Sequence, residues 1–501
     1  MKRPAICLTL TEKTIQADLN LIEKFRPYID MVELRGDFLE DDEMLNMRDF
    51  PRLAKIPSIL SIRRKSDGGL YDEGEASRTI LFARALSFAD VENKLNNFAY
   101  VEFEDDYHIP SLQDATLAFG TKIIRSTHIQ ERNLPNIAKT LEKLRTSYYE
   151  IPKISFYPDS LDEITKLFDE AEHLTDYNHI LVAHGPLGDT TKILSYKLKN
   201  FLTYTRADKI IGEERREHIN PIILTNNFNY KNFDENTQIY GVTGWPLKDI
   251  SSTDIHNNGF RNNNMNAVFI PIRSDSIDAS FRFANKLNVK DMTIEVPFKE
   301  DALDCIDVKT EQVEQMEATN AVVNKDSIWT GYNTDDDGFE KAILDFTGLK
   351  SLKHKKIAII GSTGAAKAIA YSVKKLRGHA CIFAKSEGKA RKIAQQYKFK
   401  SAPLNETSIP LLKKYNQIII QTTAKGMNIS GNEEENDPIY FYNFTGKEIL
   451  FETIYNPPIT PLMERAAEAG CNVCNGFEML KNQGPIQFEL YTGENYNGNK
   501  R

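Results

Sequence analysis

The chain has 501 residues, 41% hydrophobic and 27% charged, with a formal net charge of -8 and a pI near 5.8. That length exceeds one ordinary core and implies roughly two to four domains, and the acidic balance argues against nucleic acid as a main partner. No apolar run approaches the ~20 residues of a membrane span, the N-terminus runs into a strand-like stretch without a signal peptide, and five cysteines make no disulfide framework, so a reducing cytoplasm is expected.

Short apolar runs rich in β-branched residues predict strands at Ala5–Leu10, Met31–Arg35, Ser58–Arg63, Tyr100–Glu104, Lys122–Ser126, Lys153–Tyr157, Ile180–Ala183 and Phe201–Tyr204. Segments such as Leu161–His173 carry helix-period apolar residues between them. Eight strand–helix units in about 220 residues predict an N-terminal (β/α)8 TIM barrel. Residues 208–236, charged and Asn-rich, mark a domain boundary. A strand at Gln238–Val242 restarts the pattern. A third pattern opens at Lys355 with the strand Lys356–Ile360, a glycine turn and a helix over Ala365–Leu376. Cys471 and Cys474 form a lone C-x-x-C with no second pair, so no metal is expected. Residues 491–501 read as a polar tail.

In a TIM barrel, catalytic groups gather at the C-terminal strand ends. Here Glu33 and Arg35 end the second strand, Arg63 the third and Glu104 the fourth; His128 follows the fifth and Lys153 lies inside the sixth. This set suits imine chemistry. A desolvated Lys153 with Arg63 and Lys192 as cationic neighbours would favour the neutral amine, which attacks a ketone. His128, oriented by Glu104, could remove an α-proton and return it to a leaving hydroxyl. Arg63 and Lys192 could hold a substrate carboxylate.

The segments MVELRGD (31–37), Tyr100-Val101-Glu102-Phe103-Glu104, Ser126-Thr127-His128 and Ile151-Pro152-Lys153-Ile154 resemble type I 3-dehydroquinate dehydratase over roughly residues 4–210. The resemblance implies Lys153 as imine former, His128 as acid/base and Glu104 as its partner. Two positions depart from that family. Lys192 stands where it has an arginine after the seventh strand, and Gly212-Glu213 is the nearest counterpart of its glutamine loop.

Farther along, Gly361-Ser362-Thr363-Gly364-Ala365 follows a strand and opens a helix, the context of a dinucleotide phosphate turn. After the next predicted strand, Ala380–Phe383, Lys385 and Ser386 stand where an acid would accept a ribose 2′-hydroxyl, so NADP is expected over NAD. Upstream lies Lys299, in Val296-Pro297-Phe298-Lys299; a lysine paired with a carboxylate stays charged and can handle a proton during hydride transfer.

The segments Thr330–Phe339, Gln421–Met427, Ile454–Leu462 and Asn475–Leu480 with Gln483 resemble shikimate dehydrogenase across residues 238–492. The resemblance implies Lys299 and Asp335 as the catalytic pair. It implies Asn320, Gln483, Tyr455 and Ser252 at the substrate, and Thr422, Gly426, Met427 and Gly476 beside the cofactor. Ile250 and Glu295 stand where the family has a serine and a threonine that meet the substrate. The expected domains are 1–215 (barrel), 237–338 with 476–495 returning to it (substrate-binding domain) and 339–475 (Rossmann NADP-binding domain).

The two resemblances name consecutive steps, from 3-dehydroquinate through 3-dehydroshikimate to shikimate, in a monomer or homodimer with no nucleic-acid or membrane partner. Three alternatives stay open: a second half acting on quinate or a related polyol acid, or weakened in its activity; a class I aldolase in the barrel; and binding modules carrying relic motifs.

Overall fold

The computed structural model describes residues 3–87, 90, 92–147, 149–175, 178–207, 219–247, 251–427 and 433–497. They divide into two compact units, Met1–Ile239 with Asn266–Asn288, and Tyr240–Met265 with Val289–Arg501.

The first unit is built on β1 (Ala5–Leu10), β2 (Met31–Arg35), β3 (Ser58–Ser61), β4 (Tyr100–Glu104), β5 (Lys122–Arg132), β6 (Glu150–Tyr157), β7 (Ile180–Ala183) and β8 (Leu202–Arg206). Each strand pairs with the next in chain order, and β8 returns to β1, all in parallel. At the seam between β7 and β8 a single bridge joins His179 to Asn200. The Asn200 side chain completes the ladder there, accepting from Leu181 N at 2.8 Å and donating to Leu181 O at 2.9 Å. The barrel is thus nearly closed.

Side-chain alternation then assigns the interior. Cys7, Met31, Ile59, Ile124, Ile151, Ile180 and Leu202 pack into one apolar layer, with Tyr100 against it. Two residues farther along, the same inward face carries Thr9, Glu33, Ser61, Glu102, Ser126, Lys153, Val182 and Tyr204. The apolar layer makes a dry floor, and the polar layer stands on it toward the C-terminal mouth. Strand β10 (Ala267–Arg273) and the helix Ile277–Leu287 belong to this unit. Arg282 makes a two-pronged bond to Asp162 at 2.7 and 2.8 Å, and Phe283 meets Phe168 edge to face.

In the second unit, β9 (Gln238–Gly244), β11 (Val289–Ile294), β13 (Ala321–Lys325), β14 (Ile328–Tyr332) and β12 (Val308–Lys309) share one sheet in that order. A parallel sheet follows, made of β15 (Lys356–Ile360), β16 (His379–Ala384), β17 (Lys400–Pro403), β18 (Ile418–Gln421), β19 (Ile449–Glu452) and β20 (Asn472–Cys474), in the order β17-β16-β15-β18-β19-β20. This is the doubly wound arrangement whose strand order reverses between β15 and β18, where ligands bind. Its two faces carry separate apolar cores. One centres on Ile357, Ile359, Ile369 and Ile420, the other on Ala358, Ile360, Ile419 and Leu450, as alternation along buried strands requires. The helix Phe477–Thr492 leaves this sheet and packs on the helix Asp335–Thr347.

Candidate functional site

Two sites emerge, one in each unit. In the barrel, the polar layer converges on Glu102, a buried carboxylate. Its Oε2 accepts from Lys153 Nζ at 2.8 Å, and its Oε1 meets His128 Nε2 at 2.9 Å and Arg63 Nη2 at 3.4 Å. Lys153 Nζ also donates to Tyr204 Oη at 2.9 Å and lies 3.7 Å from Glu33. Burial would raise the Glu102 carboxyl, but Lys153 and Arg63 outweigh it and hold it well below the usual carboxylate range. Burial pushes His128 down to about 3, helped by Arg63 and opposed by Glu102, so its imidazole is neutral at physiological pH. A carboxylate only accepts, which assigns the imidazole proton to Nε2 and the lone pair to Nδ1. Tyr204, raised well above the ordinary phenol value by burial and by Glu33 and Glu102, keeps its proton.

Glu104 is a correction. It does not orient His128; its carboxylate is taken by Arg78, at 2.9 and 3.0 Å, on the helix Glu75–Leu86. Alternation puts Glu102 and Glu104 on one face, but Glu104 is the last residue of β4, where the chain turns off the sheet. The wholly buried Arg78, which also donates to Ile62 O at 2.9 Å, captures it there.

Lys192 is the second correction. It is buried in the short helix Asp189–Ile193, 3.7 Å from Asp189, and is not among the described residues lining the barrel cavity. The charged partners beside Lys153 are therefore carboxylates, with Arg63 one step removed across Glu102. Arg35 and Glu33 do line the cavity; Arg35 is held by both oxygens of Asp37 at 2.7 and 2.9 Å, and Glu33 Oε2 accepts from Thr9 Oγ1 at 3.0 Å. Tyr204, Arg206, Ser155 and His184 also line it, with Ser155 Oγ 2.6 Å from His184 Nε2. None of these four was singled out from sequence, although each lies an even number of residues from a floor residue on its own strand or just past that strand's end. Gly212 and Glu213 lie outside the described residues.

In the second unit, Lys299 Nζ donates to Asp335 Oδ2 at 2.7 Å, and Glu295 lies 4.0 Å away. Burial would lower Lys299, but Asp335 and Glu295 together raise it, so it stays an ammonium. Asn320 Nδ2 donates to Asp335 Oδ1 at 2.8 Å and to Thr334 Oγ1 at 3.1 Å, while its Oδ1 accepts from Thr334 N at 2.8 Å. Both oxygens of Asp335 are thereby committed, and the carboxylate is fixed rather than merely capping its helix. Gln483 is buried on Phe477–Thr492, where a Cβ on Gly338 would stand 2.9 Å from its own Cβ. Ser252 is buried on the helix Ser251–Asn262, and Tyr455 is half-buried after β19. Ile250 lies outside the described residues.

The glycine turn meets this site. A Cβ on Gly364 would lie 3.1 Å from the Cβ of Lys299, so a bare backbone lets the helix Gly364–Lys375 start beside the lysine. Gly361 has φ +125, and a Cβ there would strike Thr422 Oγ1 at 2.3 Å. Thr422 is bonded through both N and Oγ1 to Ile360 O, so β15 and β18 open the crevice at the switch point together. Ser362 and Ala365 are half-buried, and Thr363 is exposed at the helix start. Lys385 and Ser386 are exposed just beyond β16. Gly426 has φ +100, and Met427 beside it is exposed. At Gly476, a Cβ would overlap Thr453 O at 2.0 Å. Backbone N–H groups at a helix start, exposed hydroxyls and a lysine beyond the second strand fit a phosphorylated dinucleotide.

The family model for type I 3-dehydroquinase matches residues 6–213, and that for the shikimate dehydrogenase substrate binding domain matches residues 242–322. An Arabidopsis thaliana protein described as a chloroplastic bifunctional 3-dehydroquinate dehydratase/shikimate dehydrogenase is 25% identical over 497 residues, covering 93% of this chain and 78% of that protein. The shikimate dehydrogenase (NADP(+)) of Caldanaerobacter subterraneus subsp. tengcongensis is 30% identical over 270 residues, 52% of this chain and 94% of its own. A solved shikimate dehydrogenase from Aquifex aeolicus superposes with a TM-score of 0.48 at 28% identity, covering 53% of this chain and 96% of that one.

Proposed function

The chain belongs to the shikimate dehydrogenase family and carries a type I 3-dehydroquinase domain ahead of it, which makes it a bifunctional shikimate-pathway enzyme; from that premise we propose how its residues divide the two steps. Residues 1–215 dehydrate 3-dehydroquinate. Residues 237–338 with 476–495 bind the product, and 339–475 bind NADP.

In the barrel, Lys153 hands a proton to the Glu102–His128 pair and adds to the substrate ketone; the pair returns that proton to the carbinolamine hydroxyl, which leaves as water as the protonated imine forms. His128 takes the α-proton on Nδ1 and returns it to the departing hydroxyl. The imine acts as the electron sink between these events. Arg63, tied to Glu102 and Glu33, helps keep the cluster charge-balanced. The observation that carries this reading is Glu102 bridging His128 and Lys153 on a dry floor. A carboxylate there orients the base and takes part in the proton traffic of the amine.

In the second unit, Lys299 gives a proton to the carbonyl oxygen as it becomes a hydroxyl, and Asp335 keeps that lysine charged and aimed. Asn320, Gln483, Tyr455 and Ser252 bind the substrate. NADPH, when bound, supplies the hydride. Backbone groups of Gly361, Ser362, Thr363, Gly364 and Ala365 would hold its diphosphate, and Lys385 and Ser386 would hold its 2′-phosphate. Thr422, Gly426, Met427 and Gly476 shape the rest of the cleft. The described residues contain no helix long and apolar enough to cross a membrane, and the five cysteines are free. A reducing compartment such as the cytoplasm suits them.

Glu295, 4.0 Å from Lys299, favours a second reading for the reductase, in which a polyol acid other than shikimate, such as quinate, is the better substrate. One assay tests both readings. 3-Dehydroquinate with NADPH should yield shikimate by way of 3-dehydroshikimate, and oxidation of shikimate should outpace that of quinate. Faster quinate oxidation would select the second reading, and no 3-dehydroshikimate would end the first step.

A further inference from the structure

Two polar side chains in the wall of the barrel cavity take no part in the chemistry above: Ser155 and His184. Ser155 Oγ lies 2.6 Å from His184 Nε2. Ser155 is on β6, two residues beyond Lys153 on the same inward face, and is 4% exposed. His184 follows β7 directly. Its backbone N–H donates to Phe156 O at 2.9 Å, and its ring packs on Tyr157 with centroids 5.2 Å apart. The backbone bond and the ring contact hold the imidazole against the hydroxyl at the ends of two neighbouring strands.

The register places this hydroxyl beside the acid/base residue. Ser155 is the partner of His128 across the β5–β6 ladder, as Lys153 is of Ser126. Paired strands run ~4.8 Å apart, and one pleat repeat is ~7 Å along the strand. Ser155 and His128 therefore stand side by side, one repeat above the imine lysine toward the mouth, and all three line the same cavity. In the elimination, the imine carbon, the carbon that loses its proton and the carbon that loses its hydroxyl are consecutive. His128 serves the last two, so the departing oxygen has to come within its reach, and a neighbour one strand away shares that reach. Carbon–oxygen cleavage builds negative charge on that oxygen. A hydrogen-bond donor aimed there binds more strongly in the transition state than before it. A serine hydroxyl has one donor and two acceptor sites. An imidazole donating from Nε2 fills one acceptor site of Oγ and leaves the Ser155 hydrogen for the cavity.

We propose that Ser155, oriented by His184, donates a hydrogen bond to the departing hydroxyl of the substrate and is a further catalytic residue of the dehydration. The assignment rests on the dehydratase reading above. The proton that completes the water molecule still comes from His128. Ser155 keeps its own proton and offsets the charge that the leaving oxygen carries until that transfer.

The test uses the full chain with Ser155→Ala and Ser155→Cys, the second nearly isosteric and only a weak donor. Both should lower kcat for dehydration roughly tenfold or more, the range for a hydrogen bond to a charged group, with a smaller change in KM. Circular dichroism and NADPH-dependent reduction by the same preparations report that the chain has folded; an alanine variant that fails them leaves the decision to the cysteine variant. Borohydride trapping on Lys153 with 3-dehydroshikimate, whose departing hydroxyl is already gone, should be equal in wild type and variants. An unchanged kcat would overturn the assignment. So would a loss of trapping that matches the loss of turnover, which makes Ser155 a prop for the cavity wall. Wild-type protein that traps no ketone on Lys153 overturns the imine reading itself, and the assignment with it, whereas a normal wild-type adduct with unaffected variant turnover sinks the assignment alone.

Discussion

Both units hold a buried lysine against a carboxylate, at 2.8 Å in the barrel and 2.7 Å in the dehydrogenase unit, yet the company of each pair differs. Glu102 is shared by Lys153, His128 and Arg63, contributed by three other strands or strand ends. Asp335 is dedicated to Lys299, and its other oxygen is fixed by Asn320. Sharing makes Glu102 a junction through which a proton can pass between base and amine. Dedication makes Asp335 a clamp that preserves one charge. On the mechanism proposed above, the same ion pair would serve covalent capture in one scaffold and proton delivery in the other.

The comparison breaks most completely at the amines. Lys153→Ala should abolish dehydration and the borohydride-trapped adduct while leaving reduction intact; residual adduct in a mass spectrum would move the imine elsewhere. Next come the carboxylates. Glu102→Gln should cut dehydration by ~10²-fold or more, the scale of general acid–base groups, whereas Glu104→Gln should cost stability with turnover near wild type, because its partner is Arg78. Turnover falling equally in both would restore Glu104 to the chemistry. Asp335→Asn should lower reductase turnover by about 10²-fold and move the alkaline limb of its pH profile to lower pH, since one of the two groups raising Lys299 is gone. An unmoved limb would make Asp335 a helix cap.

A milder change sharpens the cofactor side. Lys385→Asp should weaken NADPH relative to NADH by roughly tenfold or more, as for a lost charge-assisted contact, and an unaltered ratio of the two KM values would reject that contact. The smallest effect belongs to His128. Held at about 3, it stays neutral from pH 8 down to pH 5. Its protonation should thus take nothing from dehydration kcat/KM over that range; an acid limb near 6.5 that disappears in His128→Asn would show an ordinary histidine.

Much of the barrel was legible because its strands are short runs between polar segments. Ala5–Leu10, Met31–Arg35, Tyr100–Glu104 and Ile180–Ala183 have the predicted bounds. The period of two also carries the site, since floor residues such as Cys7, Met31 and Ile151 are each followed two positions later by Thr9, Glu33 and Lys153. Arg206 was missed because the eighth strand was drawn to end at Tyr204. Extending the alternation by one repeat would have included it.

Sequence alone determined which residue types face inward, where the glycine turn after β15 lies and that each of two scaffolds carries a lysine, because these follow from local periodicity and from glycine's tolerance at Gly361 and Gly364. Only tertiary structure decided which of two equivalent glutamates reaches His128. Alternation cannot separate Glu102 from Glu104; a buried arginine on a neighbouring helix does. It also decided that Lys192 sits against Asp189 while Arg206 lines the cavity. Charge is written in the sequence, but which groups lie beside it depends on segments far apart along the chain.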